Sequence, residues 1–137
     1  MYELRAMVAV TNVSAGIIRN EKGEILICQR GAGGSCAHLW EFPGGKEEDG
    51  ETPESCLVRE CKEELSIDIT PDELFLTTFY SYPEGDIYFS FFYASIVSGL
   101  INMKVHSSIK WVLPCELENY DFCPADATVL KRLSSIA

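Results

Sequence analysis

Positive charge is scarce in this chain. Lys and Arg number 11 against 21 Asp and Glu, leaving a formal net charge of −10 at pH 7. Such a field repels polyanions, which argues against a nucleic-acid duplex or an anionic membrane surface as a partner. It would repel a free nucleotide as well, unless cations screened the binding site. Long apolar runs are missing too: none reaches the ~20 residues that cross a bilayer. The opening MYELRAMVAV lacks a basic start followed by an apolar stretch and a cleavage site, so a cytoplasmic location is expected. Cysteine is present, at positions 28, 36, 56, 61, 115 and 123, but without a C-x-x-C pair or zinc-like spacing to histidine. These read as reduced, half-buried small side chains. There are no repeats and no linkers, and 137 residues leave no room for a second core, so residues 1–137 are expected to form one domain.

What is present is an ordinary globular composition, 47% apolar and 23% charged. The stretch from about Arg5 to Arg19 reads as one long or two broken strands, Asn20 to Gly23 as a turn, and Glu24 to Arg30 as a returning strand, together a hairpin. Gly31 to Ser35 is a flexible loop and rim. It is no phosphate cradle, since no Gly-Lys-Ser/Thr follows. Pro43-Gly44-Gly45 forces a tight turn. Leu74 to Tyr82 and Asp86 to Val97 read as strands around the turn at Pro83. In the second, Tyr88, Ser90 and Phe92 alternate with Phe89, Phe91 and Tyr93, which suits a central strand buried on both faces. Ile109 to Leu113 is a short strand, and Pro124 opens a last helix with Val129, Leu130, Leu133 and Ile136 on its apolar stripe. Strand pairs alternating with two helices predict an α/β fold, a mixed sheet covered on both faces.

The chain is organised around Gly45 to Ile67, GKEEDGETPESCLVRECKEELSI. Thr52-Pro53 is a helix start, with Thr as N-cap and Pro where its missing N–H costs nothing. At about 100° per residue, Glu63 and Glu64 fall about 60° and 40° either side of Glu60. Leu57, Val58, Cys61 and Leu65 gather on the opposite side. Like charges so close destabilise a bare helix, and a solvated acidic face is the ordinary reading of a lone E-x-x-E-E. Hard divalent cations among the carboxylates would make the arrangement favourable, because Mg²⁺ takes carboxylate oxygens together with substrate phosphates.

Gly45, Glu51 and Arg59-Glu60-Cys61-Lys62-Glu63-Glu64-Leu65-Ser66-Ile67 match in spacing the Nudix box, G-x5-E-x7-R-E-U-x-E-E-x-G-U, where U is bulky and apolar. Cys61 fills a U slot as a small hydrophobe. Ser66 replaces the last Gly and should weaken a left-handed helix cap. Gln29-Arg30, Leu39 to Gly45, Trp111 and Pro124-Ala125-Asp126 resemble further landmarks of MutT-type members, in order. The resemblance implies a Nudix fold, an α/β/α sandwich, and Mg²⁺-dependent (alternatively Mn²⁺-dependent) hydrolysis of a nucleoside triphosphate to the monophosphate and pyrophosphate. It implies Glu60, Glu63, Glu64 and the Gly44 carbonyl as metal ligands. Arg59 and Glu51 would brace the loop against the helix, and Glu60 or Glu64 would take the proton of the attacking water. Arg30, Glu41, Phe42 and Asp126 would bind the substrate, a small-molecule nucleotide, in a monomer or homodimer.

Relatives often carry another Glu six residues before the late Trp, where this chain has Val105 followed by His106. His106 is a stand-in for that group or a solvated loop residue. At Asp126 an ionised carboxylate only accepts, which suits the amino group of cytosine, whereas Asn there suits an oxidised guanine. The expectation leans to CTP or dCTP, but only slightly, because a protonated Asp could donate as well and so suit the oxidised guanine. Two other readings compete. ADP-ribose-type hydrolysis rests on Pro83, sixteen residues after Ile67, which its turn already explains. A non-catalytic nucleotide-sensing domain would not need every box carboxylate.

Overall fold

The structure, a computed structural model, describes residues 10–136. Strand β1 (Thr11–Ile18) sends Ala15 and Ile17 into one core cluster and Ile18 into a second, the alternation that a strand buried on both faces requires. Residues 5–9 of the expected first strand lie outside the described residues. Strand β2 (Ile25–Gln29) repeats the pattern, with Ile25 and Ile27 in the first cluster and Leu26 and Cys28 in the second. β3 (Trp40–Glu41) and β4 (Gly44–Lys46) are short and flank Phe42-Pro43.

Helix α1 (Pro53–Leu65) begins on a Thr52 N-cap whose Oγ1 accepts from the Ser55 N–H, and Ser55 Oγ accepts in return from the Thr52 N–H. It ends on Ser66, at φ 61° and ψ 30°, so the cap that Ser was expected to weaken is left-handed all the same. The long hairpin β5 (Asp68–Tyr82) and β6 (Gly85–Ser98) follows. β5 starts well before the expected Leu74, because it is an edge strand that tolerates Pro71 and irregular pairing. Strand β7 (Ser108–Val112) leads to two 3₁₀ turns, Pro114–Asn119 and Pro124–Asp126, and then helix α2 (Ala127–Ile136). Val129 and Leu133 of its stripe are buried. Ile136, expected with them, is exposed in the final turn.

A four-stranded sheet runs β4-β1-β6-β5 and a three-stranded sheet β3-β2-β7. β1 pairs parallel with β6 and antiparallel with β4, so the larger sheet is mixed and aromatic β6 is central, as expected. The expected hairpin of the first two strands does not form. Both edges of β1 are taken, and only a single bridge, Arg19 to Ile25, links the segments before the chain crosses into the other sheet. α1 covers the cluster of Ile18, Leu26 and Phe92; α2 covers that of Ile17, Ile27 and Phe91. This is an α/β/α sandwich. No helix among the described residues is long and apolar enough to cross a membrane.

Candidate active site

The site forms where β4 is pressed between β1 and α1. A Cβ on Gly44, whose φ is 154°, would overlap the Ser14 carbonyl oxygen, and one on Gly45 would overlap the Glu60 carboxyl group. Glycine is therefore required at Gly44, where the clash is with backbone, while a side chain at Gly45 would displace the Glu60 carboxyl group from its place. Ser14 is fully buried and donates to the Pro53 carbonyl at 2.6 Å, tying the start of α1 to β1. Cys56, buried although it lies outside the expected apolar face, donates to the Gly45 carbonyl at 3.4 Å.

Arg59 holds the loop to the helix. It grips Glu51 with two bonds of 2.6 and 2.9 Å, donates to the Lys46 carbonyl at 3.0 Å, and reaches Glu60 and Glu63 at 3.0 Å each. That bidentate grip keeps the Glu51 carboxyl down at about 2. Burial first, then the neighbouring Glu60, push the Glu64 carboxyl up to about 7, against a smaller opposing pull from His106.

Beside this pair opens a cleft of about 690 Å³ lined by Glu60, Glu64, Gly44, Arg30, Glu41, Phe42 and Asp126, among others. It thus gathers seven of the ten residues singled out in the sequence. Glu63, Arg59 and Glu51 stand outside its lining, and Glu63 is exposed and turned to Arg59. Among the described residues no group of three or more His, Cys, Asp or Glu side chains is drawn together tightly enough to hold an ion by itself.

In the same cleft Glu41 bridges two basic side chains: Arg30 at 3.1 Å through one oxygen and His106 Nε2 at 3.0 Å through the other. The His106 side chain is only 4% exposed, so it is no solvated loop residue, whereas Val105 points outward at 59%. Phe42 packs against Phe91 and Phe122 at ring separations of 6.2 and 5.3 Å. Asp126 is buried, its Oδ2 has no partner, and desolvation followed by the charge of Glu41 raises its carboxyl well above the usual range. Sequence reading missed Tyr82, Cys36 and Cys123, which line the same cleft. They come from three distant segments, and no linear motif marks them.

A model of the NUDIX domain matches residues 10–133. An 8-oxo-dGTP diphosphatase of Haemophilus influenzae is 39% identical over 124 residues, covering 90% of this chain and 91% of that one. A CTP pyrophosphohydrolase of Escherichia coli is 33% identical, again over 90% of this chain and 91% of its own. The solved ORF135 protein of E. coli superposes with a TM-score of 0.83 at 31% identity, covering 96% of this chain and 93% of that one.

Proposed function

The chain belongs to the Nudix family, and from that premise we propose that it hydrolyses an oxidised purine nucleoside triphosphate of the 8-oxo-dGTP type, using the carboxylates of α1. The general activity is hydrolysis of a phosphoric anhydride bond in a nucleoside triphosphate, giving the monophosphate and pyrophosphate.

The donor set suits a hard divalent cation, Mg²⁺ or Mn²⁺. Glu60 and Glu64 are neighbouring hard-oxygen donors, the negative charge of Glu60 helps to raise the Glu64 carboxyl, and the Gly44 backbone borders the same cleft. Glu60, Glu64 and the Gly44 carbonyl would hold it, with Glu63 joining on release from Arg59. When bound, such an ion neutralises charge on the phosphate oxygens and acidifies water. The side chains supply the rest. Arg59 and Glu51 fix the loop so that Gly45 stays against Glu60. Arg30, held by Glu41, would contact the nucleotide. A Glu60 or Glu64 oxygen not engaged elsewhere takes the proton of the attacking water.

The base assignment is carried by Asp126. Its burial favours the protonated acid, which donates and accepts as an amide would, and so removes the argument for cytosine that an ionised carboxylate supplied. The N1–H and C6=O edge of an oxidised guanine offers the matching pair. Pyrophosphate release from 8-oxo-dGTP, dGTP, dCTP, CTP and ADP-ribose with Mg²⁺ tests both levels. The expected result is the highest kcat/KM for 8-oxo-dGTP. A preference for CTP would overturn the base assignment alone. Release from none of the triphosphates would overturn the activity.

A further inference from the structure

Arg30 directly follows the last residue of β2, Glu41 ends β3, and the loop ahead of β7 carries His106. Pairing in the order β3-β2-β7 gathers the three. Glu41 lies opposite Cys28, Cys28 opposite Ile109, and Ser107 donates to the Gln29 carbonyl at 2.9 Å. The same loop is fixed at its other end to α1. There Asn102 donates to the Leu65 carbonyl at 2.9 Å, and Lys104 to the Glu64 carbonyl at 3.1 Å. His106 thus projects from a strap tied on both sides, to the carboxylate helix and to the strand that leads into Arg30.

The polar contacts run in a single line. Among the described residues the Arg30 side chain is held only through Nη1, 3.1 Å from Glu41 Oε1, while its Nε is buried without a partner. Glu41 is held in turn through Oε2, 3.0 Å from His106 Nε2. A carboxylate only accepts, so Nε2 is the nitrogen that donates. His106 Nδ1 is buried and unpartnered among the described residues, which leaves Glu41 as the one polar contact of the ring. Glu41 and Arg30 line the cleft and His106 stands behind them, while Arg30 keeps 40% of its side chain exposed to meet a ligand. Contacts on both Glu41 oxygens fix the plane of its carboxylate, and that plane sets where the guanidinium points.

We propose that His106 is a positioning residue for the hydrolysis proposed above: by locking Glu41 it aims Arg30 at the nucleotide, without touching the nucleotide itself. The inference rests on that reading of the cleft. Without the Nε2 donor Glu41 is free to rotate, and Arg30 spreads over rotamers of which few meet the substrate. That long side chain must then be ordered at every binding event. A contact equal in bound substrate and transition state raises KM when lost and leaves kcat, and this is the signature expected.

The test compares kcat and KM of the full-length protein with Mg²⁺ and 8-oxo-dGTP, or whichever nucleotide named above is turned over best, with Tm beside them. His106→Leu keeps the bulk and loses the donor. It should raise KM roughly tenfold, the scale of one hydrogen bond to a charged group, with kcat within about threefold. His106→Gln carries an amide donor near the place of Nε2 and should stay within about threefold of the parent in both. Arg30→Ala should raise KM at least as much, and His106→Leu added to it should change KM no further, since the histidine acts through the arginine. An unchanged KM in His106→Leu, even with a lower Tm, would overturn the proposal and leave a merely structural histidine. Equal impairment in His106→Gln, or effects of His106→Leu and Arg30→Ala that multiply, would overturn it too. Should His106→Leu not fold, His106→Asn, whose amide stops short of Glu41, takes its place with the same expectations. The same comparison on Kd for 8-oxo-dGTP, with Ca²⁺ in place of Mg²⁺, separates the two readings. A parent that turns over nothing but shows this pattern in Kd loses the activity and keeps the positioning; a parent that binds no nucleotide overturns both.

Discussion

Glu64, half-buried, and Asp126, buried, are carboxyls raised chiefly by the same force, and they respond to substitution in different ways. Desolvation opposes the charged form of each, so each costs stability as it ionises. For Glu64 the stability is full below the ordinary glutamate value of 4.5 and is lost as pH rises through about 7. With a chelator present, Glu64→Gln should match the parent in Tm at acid pH and exceed it above pH 7. Turnover should fall by roughly a hundredfold or more, as loss of a general base or ligand does. A thermal scan and a pyrophosphate assay check the two halves; undiminished Mg²⁺-dependent turnover would contradict the assignment. Asp126 follows the same sign from its ordinary 3.8 upward. Asp126→Asn should therefore be more stable than the parent at neutral pH, with the difference closing in acid. As Asn keeps a donor and an acceptor, the preference for 8-oxo-dGTP over dCTP should survive. Asp126→Leu should reduce that preference roughly ten- to a hundredfold, the effect of one base-edge contact. Ratios of kcat/KM for the two nucleotides decide it.

At the scale of the element, α1 shows how local rules set both ends of a helix and leave one of them strained. Its start is satisfied in full, with Thr52 and Ser55 exchanging bonds and Pro53 behind them. Its end depends on Ser66 in a left-handed conformation that costs an L-residue roughly 1–2 kcal/mol and glycine almost nothing. Ser66→Gly should then raise stability by about 1 kcal/mol, part of the relief being offset by the greater freedom of glycine in the unfolded chain. Urea unfolding should show a higher midpoint at an unchanged slope, and no change in KM, because Ser66 stands outside the cleft lining. The loop before β7 makes the complementary point. His106 follows Val105 in sequence, yet one is exposed and the other is turned inward to Glu41, where it helps hold Arg30.

For the whole molecule, charge outweighs every other influence on how the protein meets its solvent. A chain at −10 that concentrates carboxylates at one cleft is relieved by any cation bound there. Mg²⁺ at about 100 times its Kd should stabilise the fold by about 2.7 kcal/mol. The rise in Tm should exceed that from NaCl at equal ionic strength, and Glu64→Gln should lose most of it. An equal response to both salts would reduce the effect to general screening. The chain by itself determined a good deal of this. Covalent spacing fixes which residues share a helix face, so the position of Glu60 and Glu64 and the Thr52 cap were legible in the linear order, whereas the Glu51–Arg59 brace was implied by the resemblance to the Nudix box. Alternation likewise marked β6 as a strand buried on both sides. Tertiary structure decided the rest, because pairing partners, desolvation and distant encounters have no local signal. β1 gave both edges to β4 and β6, and so could not make a hairpin with β2. Glu63 was drawn to Arg59. Burial, a property of the packed chain alone, raised the Asp126 carboxyl, and the packing brought Cys36, Tyr82 and Cys123 into one cleft lining from three segments.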